Sequence, residues 1–278
     1  MNSDIEAISL DSPEVLAQQV DSEARKIRRD EQLKLWLSII SPFSLLFLWE
    51  FVSQVGLLDM RFFPPPTAIL STFWEMILSG ELAENTWISV LRFLGGFMLG
   101  FLPAIVLGLI MGLYPLVKTL LDPIIGALLP IPKLALLPLI MLLFGIGEES
   151  KIVTIASGVF FFVLLDTVAG VVHIDKIYLE VAKSFGASRW VFFRTVAFPG
   201  ALPFIFNGIK LGLGVGLLLI VAAEMIGAES GLGYLIWAGF KTFSLERMYV
   251  GLIMLAFLGY VSTILLGQLE KFVVPWKQ

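Results

Sequence analysis

The sequence predicts an all-α, polytopic membrane protein with six spans. Three observations carry that reading. Of 278 residues, 58% are apolar and 15% charged, and the mean hydropathy is +0.90. A soluble domain of this length cannot hide that much apolar surface. The apolar residues gather into windows of twenty or more, enough to cross a hydrocarbon core of ~30 Å. Lys and Arg also crowd onto one side of those windows.

The elements follow in order. Residues 1–34 form a polar tail with a basic cluster, Arg25, Lys26, Arg28 and Arg29. It reads as a surface helix or a partly disordered segment. It has no short apolar core followed by a cleavage site, so it is not a secretory signal. Residues 35–278 form the transmembrane domain. Its spans run over Leu35–Val55, Trp87–Leu113, Leu116–Gly145, Lys151–Val172, Pro199–Ile226 and Met248–Phe272. With the N-terminus cytoplasmic, twelve Lys and Arg lie in inside segments and four in outside segments. Three more, Arg92, Lys133 and Lys210, fall within spans. The bias places both termini, and the stretch Tyr178–Pro199, in the cytoplasm.

Two outside segments are more than turns. Phe63-Pro64-Pro65-Pro66-Thr67 leads into a helix over Ala68–Leu78, with Ile69, Phe73, Met76 and Ile77 on one face. Gly227–Arg247, with Gly231, Gly233 and Trp237, either packs on the bundle, dips into the outer leaflet or caps a cavity. Within the third span, Pro123, Pro130, Pro132 and Pro138 each remove a helix donor and break it into pieces. Broken backbone at membrane depth needs protein or a water-filled cavity beside it. Glycines four apart mark close helix contacts: Gly96/Gly100, Gly108/Gly112 and Gly208/Gly212/Gly216.

Composition narrows the chemistry. A net charge of −4 argues against a nucleic-acid partner, and the absence of cysteine excludes disulfides and thiolate metal sites. There is no phosphate loop ending in Lys-Ser/Thr and no His-Glu-x-x-His. The lone histidine, His173, sits at a cytoplasmic edge as a surface or interface residue. No catalytic or metal-binding residue is expected. Charge at membrane depth is costly and marks function or pairing. Arg92 and Glu224 fall toward the outer side, and Asp166, Lys210 and Asn207 toward the inner side, with Glu50 near an outer boundary. Arg92–Glu224 and Asp166–Lys210 are therefore expected as ion pairs or as the polar lining of a solute path.

The stretch Tyr178–Pro199 is the polar exception between two apolar runs. Tyr178, Val181, Ala182 and Phe185 share one side of a helix, and Gly186 can turn the chain between two short helices. Ala182, Gly186 and Ala187 are small enough to sit deep in a partner's groove. Phe185, Trp190, Phe192 and Phe193 add an aromatic face that needs a socket.

The spacing Glu180-x-Ala182-x-x-x-Gly186, then Val196-x-Phe198-Pro199, resembles the cytoplasmic loop of ABC-importer permeases, Glu-Ala-Ala…Gly…Ile-x-Leu-Pro. It departs from that pattern at Val181, Val196 and Phe198. From Phe63 to the end the chain also resembles the nitrate, sulfonate, taurine and bicarbonate branch. The matching segments are Phe63-Pro-Pro-Pro66, Leu129-Pro-Ile-Pro132, Phe144-Gly-Ile-Gly-Glu148 and Val221-Ala-Ala-Glu224-Met225 with Gly231-Leu-Gly233. The resemblance implies the type I importer permease fold, with coupling helices between spans four and five. Glu180, Ala182, Gly186, Ala187 and Arg189 become the ATPase-coupling positions. Arg92, Asp166, Asn207, Lys210 and Glu224 are the candidate path residues. The implied setting is a bacterial inner membrane. The implied assembly adds a second permease copy, two cytoplasmic ATPase subunits that carry ATP and Mg, and a periplasmic or lipid-anchored binding protein. The competing class is an ion-gradient-driven secondary carrier, which needs no ATPase but should show paired broken helices. One proline-broken span is present, without a second copy. The cargo is a small anion such as a sulfonate, taurine, nitrate or bicarbonate.

Overall fold

The computed structural model describes residues 13–276, and the described residues are helical, with turns between them. Two compact units are distinguished, Met1–Thr67 and Ala68–Gln278. Residues 1–12 of the expected tail lie outside the described residues. In the first unit a single helix, α1 (Pro13–Gln54), continues without a break from the tail into the first span. Within its apolar part, Arg29–Gln54, the most apolar window buries no described residue, as suits a helix facing lipid or another chain, and Ser53 near the end is buried. Past its end, Arg61 holds the Asp59 carboxylate at 2.9 Å and keeps its pKa below the usual carboxylate range. Glu50 accepts the Thr67 backbone N–H at 3.0 Å and its hydroxyl at 2.8 Å.

The second unit is the bundle. The surface helix α2 (Pro66–Leu78) starts two residues earlier than the sequence implies and buries Ile69 and Met76. The spans follow as α3 (Glu81–Leu113), the broken element α4 (Pro115–Leu128) with α5 (Leu137–Phe144), α6 (Glu148–Val172), α9 (Phe198–Gly227) and α11 (Leu245–Val273). The polar stretch between α6 and α9 supplies α7 (Lys176–Ser184) and α8 (Arg189–Phe192), and α10 (Leu232–Lys241) precedes the last span. Among the described residues five helices are long and apolar enough to cross a membrane, and the bent pair, taken as one span, makes a sixth. The bend is 82° and lies at Pro130 and Pro132, with a 3-10 turn over Lys133–Leu136. Each of those prolines lacks the N–H that would carry a helix through.

Packing centres on α6, which lies against α3 on one side and α9 on the other. Glycines bring those backbones together. A Cβ on Gly100 would lie 2.5 Å from the Ala156 carbonyl, and one on Gly108 2.6 Å from Thr167 Cβ. On α9, a Cβ at Gly208 would lie 2.9 Å from Asp166 Cβ. The core of Ile155, Val159, Val163, Leu164, Ile205 and Ile220 fills this three-helix slab. By contrast, α4, α5 and α11 leave Leu116, Leu142 and Phe257 exposed.

Candidate functional site

Three polar features interrupt the apolar bundle. The first lies where α3 and α9 meet the start of α10. The first N–H groups of α10 have no partner within that helix. Side chains from two other helices take them: Asn85 accepts from Gly231 at 2.7 Å, Ser89 from Leu232 at 2.7 Å and Glu224 from Gly233 at 2.8 Å. Ser89 in turn donates to Glu224 at 2.8 Å. Arg92 closes the network, bonding Glu224 at 2.9 Å, the Ser230 carbonyl at 2.6 Å and Glu148 at 2.7 Å. Glu148 also reaches Lys151 at 3.3 Å. Arg92 is 5% exposed and Glu224 1%, so this is a buried, balanced set of two cations and two carboxylates. Its one open member is Glu148, 55% exposed. Gly231, at φ 112°, has no room for a side chain because a Cβ would run into the Glu224 carboxylate. The expected Arg92–Glu224 pair is present. Within Gly227–Arg247, α10 packs on the bundle and is tied to it at its start. Lys151, which the sequence places at the outer start of the fourth span, is buried.

The second feature lies toward the other end of α6. Asn207 on α9 donates to Asp166 at 2.7 Å across the groove between α6 and α9. The expected Asp166–Lys210 pair is not formed. Lys210 bonds Glu270 on α11 instead. Asn207 and Lys210, three residues apart, differ by only about 60° around α9, so Asn207 takes the side toward α6 and Lys210 the adjoining side toward α11. The closeness of α6 and α9 at Gly208 leaves the short Asn207 amide as the group that fits Asp166.

The third feature is the α7–α8 element. Gly186 adopts φ 65°, and the Ala187 N–H bonds the Ala182 carbonyl at 2.9 Å. That is a Schellman ending, with glycine in the left-handed position. Ser188 then caps α8 by accepting from Val191 at 3.3 Å. The aromatic face divides. Trp190 stacks on Phe193 at 5.5 Å, and the pair lines a 670 Å³ cleft with Leu113 and Tyr114. Phe185 faces outward, 85% exposed, and open space surrounds Gly186. Glu180 and Arg189 are exposed, and Ala182 and Ala187 are partly buried. Between α8 and α9 the chain makes a π turn over Phe193–Ala197, in which the Phe198 N–H reaches back to the Phe193 carbonyl. Sequence reasoning did not find that turn. His173 is exposed, with Nδ1 2.8 Å from the Ala169 carbonyl and its ring stacked on Phe204.

The profile of the family described as binding-protein-dependent transport system inner membrane component matches residues 104–275. The chain belongs to that family. This permease is 33% identical over 267 residues to the taurine transport system permease protein TauC of Escherichia coli (strain K12), covering 94% of this chain and 97% of that protein. It is 37% identical over 248 residues to the putative aliphatic sulfonates transport permease protein SsuC of the same organism, covering 88% and 94%. Among solved structures, it superposes on a chain of the inward-facing MetNI methionine ABC transporter with a TM-score of 0.59 at 21% identity, covering 72% of this chain and 98% of that one. That likeness bears out the importer-permease fold. The protein is therefore a multi-pass inner-membrane permease component of an ABC importer, a kind of component that works with ATPase and substrate-binding partners.

Proposed function

We propose that two copies of this permease enclose a path for a small sulfonate-bearing solute. Two cytoplasmic ATPases drive the pair through α7–α8, and a periplasmic or lipid-anchored binding protein feeds it. The chain itself binds no nucleotide and catalyses nothing. ATP and Mg belong to the ATPases, and both termini of the permease lie in the cytoplasm. The cargo follows the two sulfonate relatives. The observation that carries the coupling assignment is the exposed Phe185 beside the Gly186 turn. Phe185 is 85% exposed and shares its polar loop with the exposed Tyr178, Val181 and Trp190, an apolar patch of the kind that marks a contact surface. In this reading Glu180, Ala182, Gly186, Ala187 and Arg189 form the ATPase contact, and small residues at 182, 186 and 187 allow close approach.

Motion at that contact has a direct route inward. The segment Arg189–Gly227 is 39 residues of helix without a gap. At 1.5 Å per residue it is about 58 Å long, well beyond a hydrocarbon core of ~30 Å. A rocking α8 therefore moves α9, and the glycine contacts move α6 and α3 with it. Asp166 and Asn207 on the open α6–α9 groove line the path. Arg92 and Glu224 hold the opposite end together, and Lys210 is tied to Glu270.

The test is uptake of a sulfonate into proteoliposomes holding the permease, its ATPases and ATP, with the binding protein outside. ATP-dependent uptake is expected. Uptake by the permease alone would overturn the ATPase-driven reading in favour of a secondary carrier.

A further inference from the structure

Charged side chains set among the spans of the Ala68–Gln278 unit fall into two groups. Arg92, Glu148, Lys151 and Glu224 neutralise one another, as do Lys210 and Glu270. Asp166 and Lys133 have no oppositely charged partner among the described residues. Asp166 is met by the neutral amide of Asn207. Lys133 donates to the Leu128 carbonyl at 2.7 Å and stands 4.0 Å over the ring of Phe161. Ion pairing alone would account for the first group. It does not account for the second, because an unneutralised charge at membrane depth costs a few kcal/mol and persists where water or a solute meets it.

Their placement is related. Lys133 lies in the proline break, and the 3-10 turn that contains it packs on both α6 and α9. Those are the two helices that hold Asp166 and Asn207. Phe161 and Asp166 are five residues apart on α6, which is about 7.5 Å along the axis and 140° around it. The exposed Phe162 and Leu165 lie between them. The two free charges thus border one open strip of α6, the cation on one edge and the carboxylate on the other. A small solute with an acid group at one end and an ammonium at the other, plus a hydrogen bond of ~2.9 Å at each end, spans roughly 10 Å. That is the scale of this strip.

We propose that Lys133 and Asp166 form a two-ended contact for a zwitterion, with Lys133 taking the acid group and Asp166 the ammonium. The contact makes the path selective for an aminosulfonate over a plain alkanesulfonate. This rests on the sulfonate reading above and adds the amino group to it. Asn207 is a positioning residue, holding the Asp166 carboxylate across the groove.

The experiment measures ATP-driven uptake of 2-aminoethanesulfonate and of ethanesulfonate by the full reconstituted importer. The binding protein is the same throughout, so a change in the ratio between variants arises in the permease. Asp166→Asn should cut uptake of the amino compound about tenfold and that of the plain compound far less. Lys133→Gln should reduce both, and Asn207→Ala should move the ratio the same way as Asp166→Asn by a smaller amount. Assembly with the ATPases and ATP hydrolysis by the complex serve as folding controls. If Asp166→Asn does not assemble, the Asn207→Ala ratio decides alone. A ratio that stays at the wild-type value in the assembled variants overturns the zwitterion contact and leaves the sulfonate importer standing. Wild-type transport of neither compound overturns both.

Discussion

The two ends of α6 solve opposite problems. At its start, Arg92, Glu224, Glu148 and Lys151 meet the N–H groups of α10, and nearly every polar atom there has a partner inside the chain. At its end, the chain turns at Gly186 and leaves Phe185, Tyr178 and Trp190 largely in the open. The first end resembles the interior of a folded domain, where a charge is tolerated because it is matched. The second resembles half of an interface, where apolar surface is tolerated because something else covers it. In the coupling proposed above, the difference separates the fixed part of the permease from the part that responds to its partners.

Four substitutions probe that contrast. Glu224→Ala should have the largest effect, because it leaves the buried cations Arg92 and Lys151 to share the single carboxylate of Glu148 and uncaps α10. A loss of about 3–5 kcal/mol is expected, visible as a large fall in the thermal unfolding midpoint of the purified permease. Gly231→Val comes next. It forces a side chain into the Glu224 carboxylate and a branched residue into positive φ, and should lower the same midpoint by about 2–3 kcal/mol. A midpoint unchanged by either variant would mean that this end is not the rigid one.

Gly186→Glu should cost only about 1 kcal/mol of stability, the penalty for a side chain at positive φ. It should nonetheless abolish co-purification of the ATPase and ATP-driven uptake, because bulk and charge enter where close approach is needed. A variant that still assembles and transports would break the coupling assignment. Phe185→Ser should leave the unfolding midpoint within about 0.5 kcal/mol, as for an exposed site. It should weaken ATPase binding about tenfold or more in a titration, the behaviour of an aromatic anchor at an interface.

Much of this was legible in the sequence because it depends on spacing alone. Pro130 and Pro132 break the third span wherever that span sits, and Gly96, Gly100 and Gly108 approach α6 because nothing else fits. Gly186 turns the chain as its position between two amphipathic segments required. The partners of Asp166 and Lys210 were not legible, since opposite charge at similar depth says nothing about helix rotation. Glu270 lies close to the end of the last span, where a charge reads as a surface residue, yet it takes Lys210. Glu148 and Lys151 were hidden for the same reason, because a polar run at a helix start looks solvated until the neighbouring Arg92 is placed. Asn85 and Ser89 carried no signal, for a small polar residue among apolar ones is common in such helices. The π turn needs backbone coordinates to be seen.

That turn has a consequence for how the permease is indexed. A π turn holds one residue more than an α-helical turn. Each residue of an α-helix advances the phase by about 100°. The α7–α8 element is therefore clocked about 100° away from where an unbroken helix would aim it relative to α9. Removing one residue from Phe193–Ala197 would restore a plain α-helix at nearly the same bearing, whereas straightening the π turn with every residue kept would swing the Gly186 turn by about 100° and leave a stable permease whose proposed coupling surface faces the wrong way.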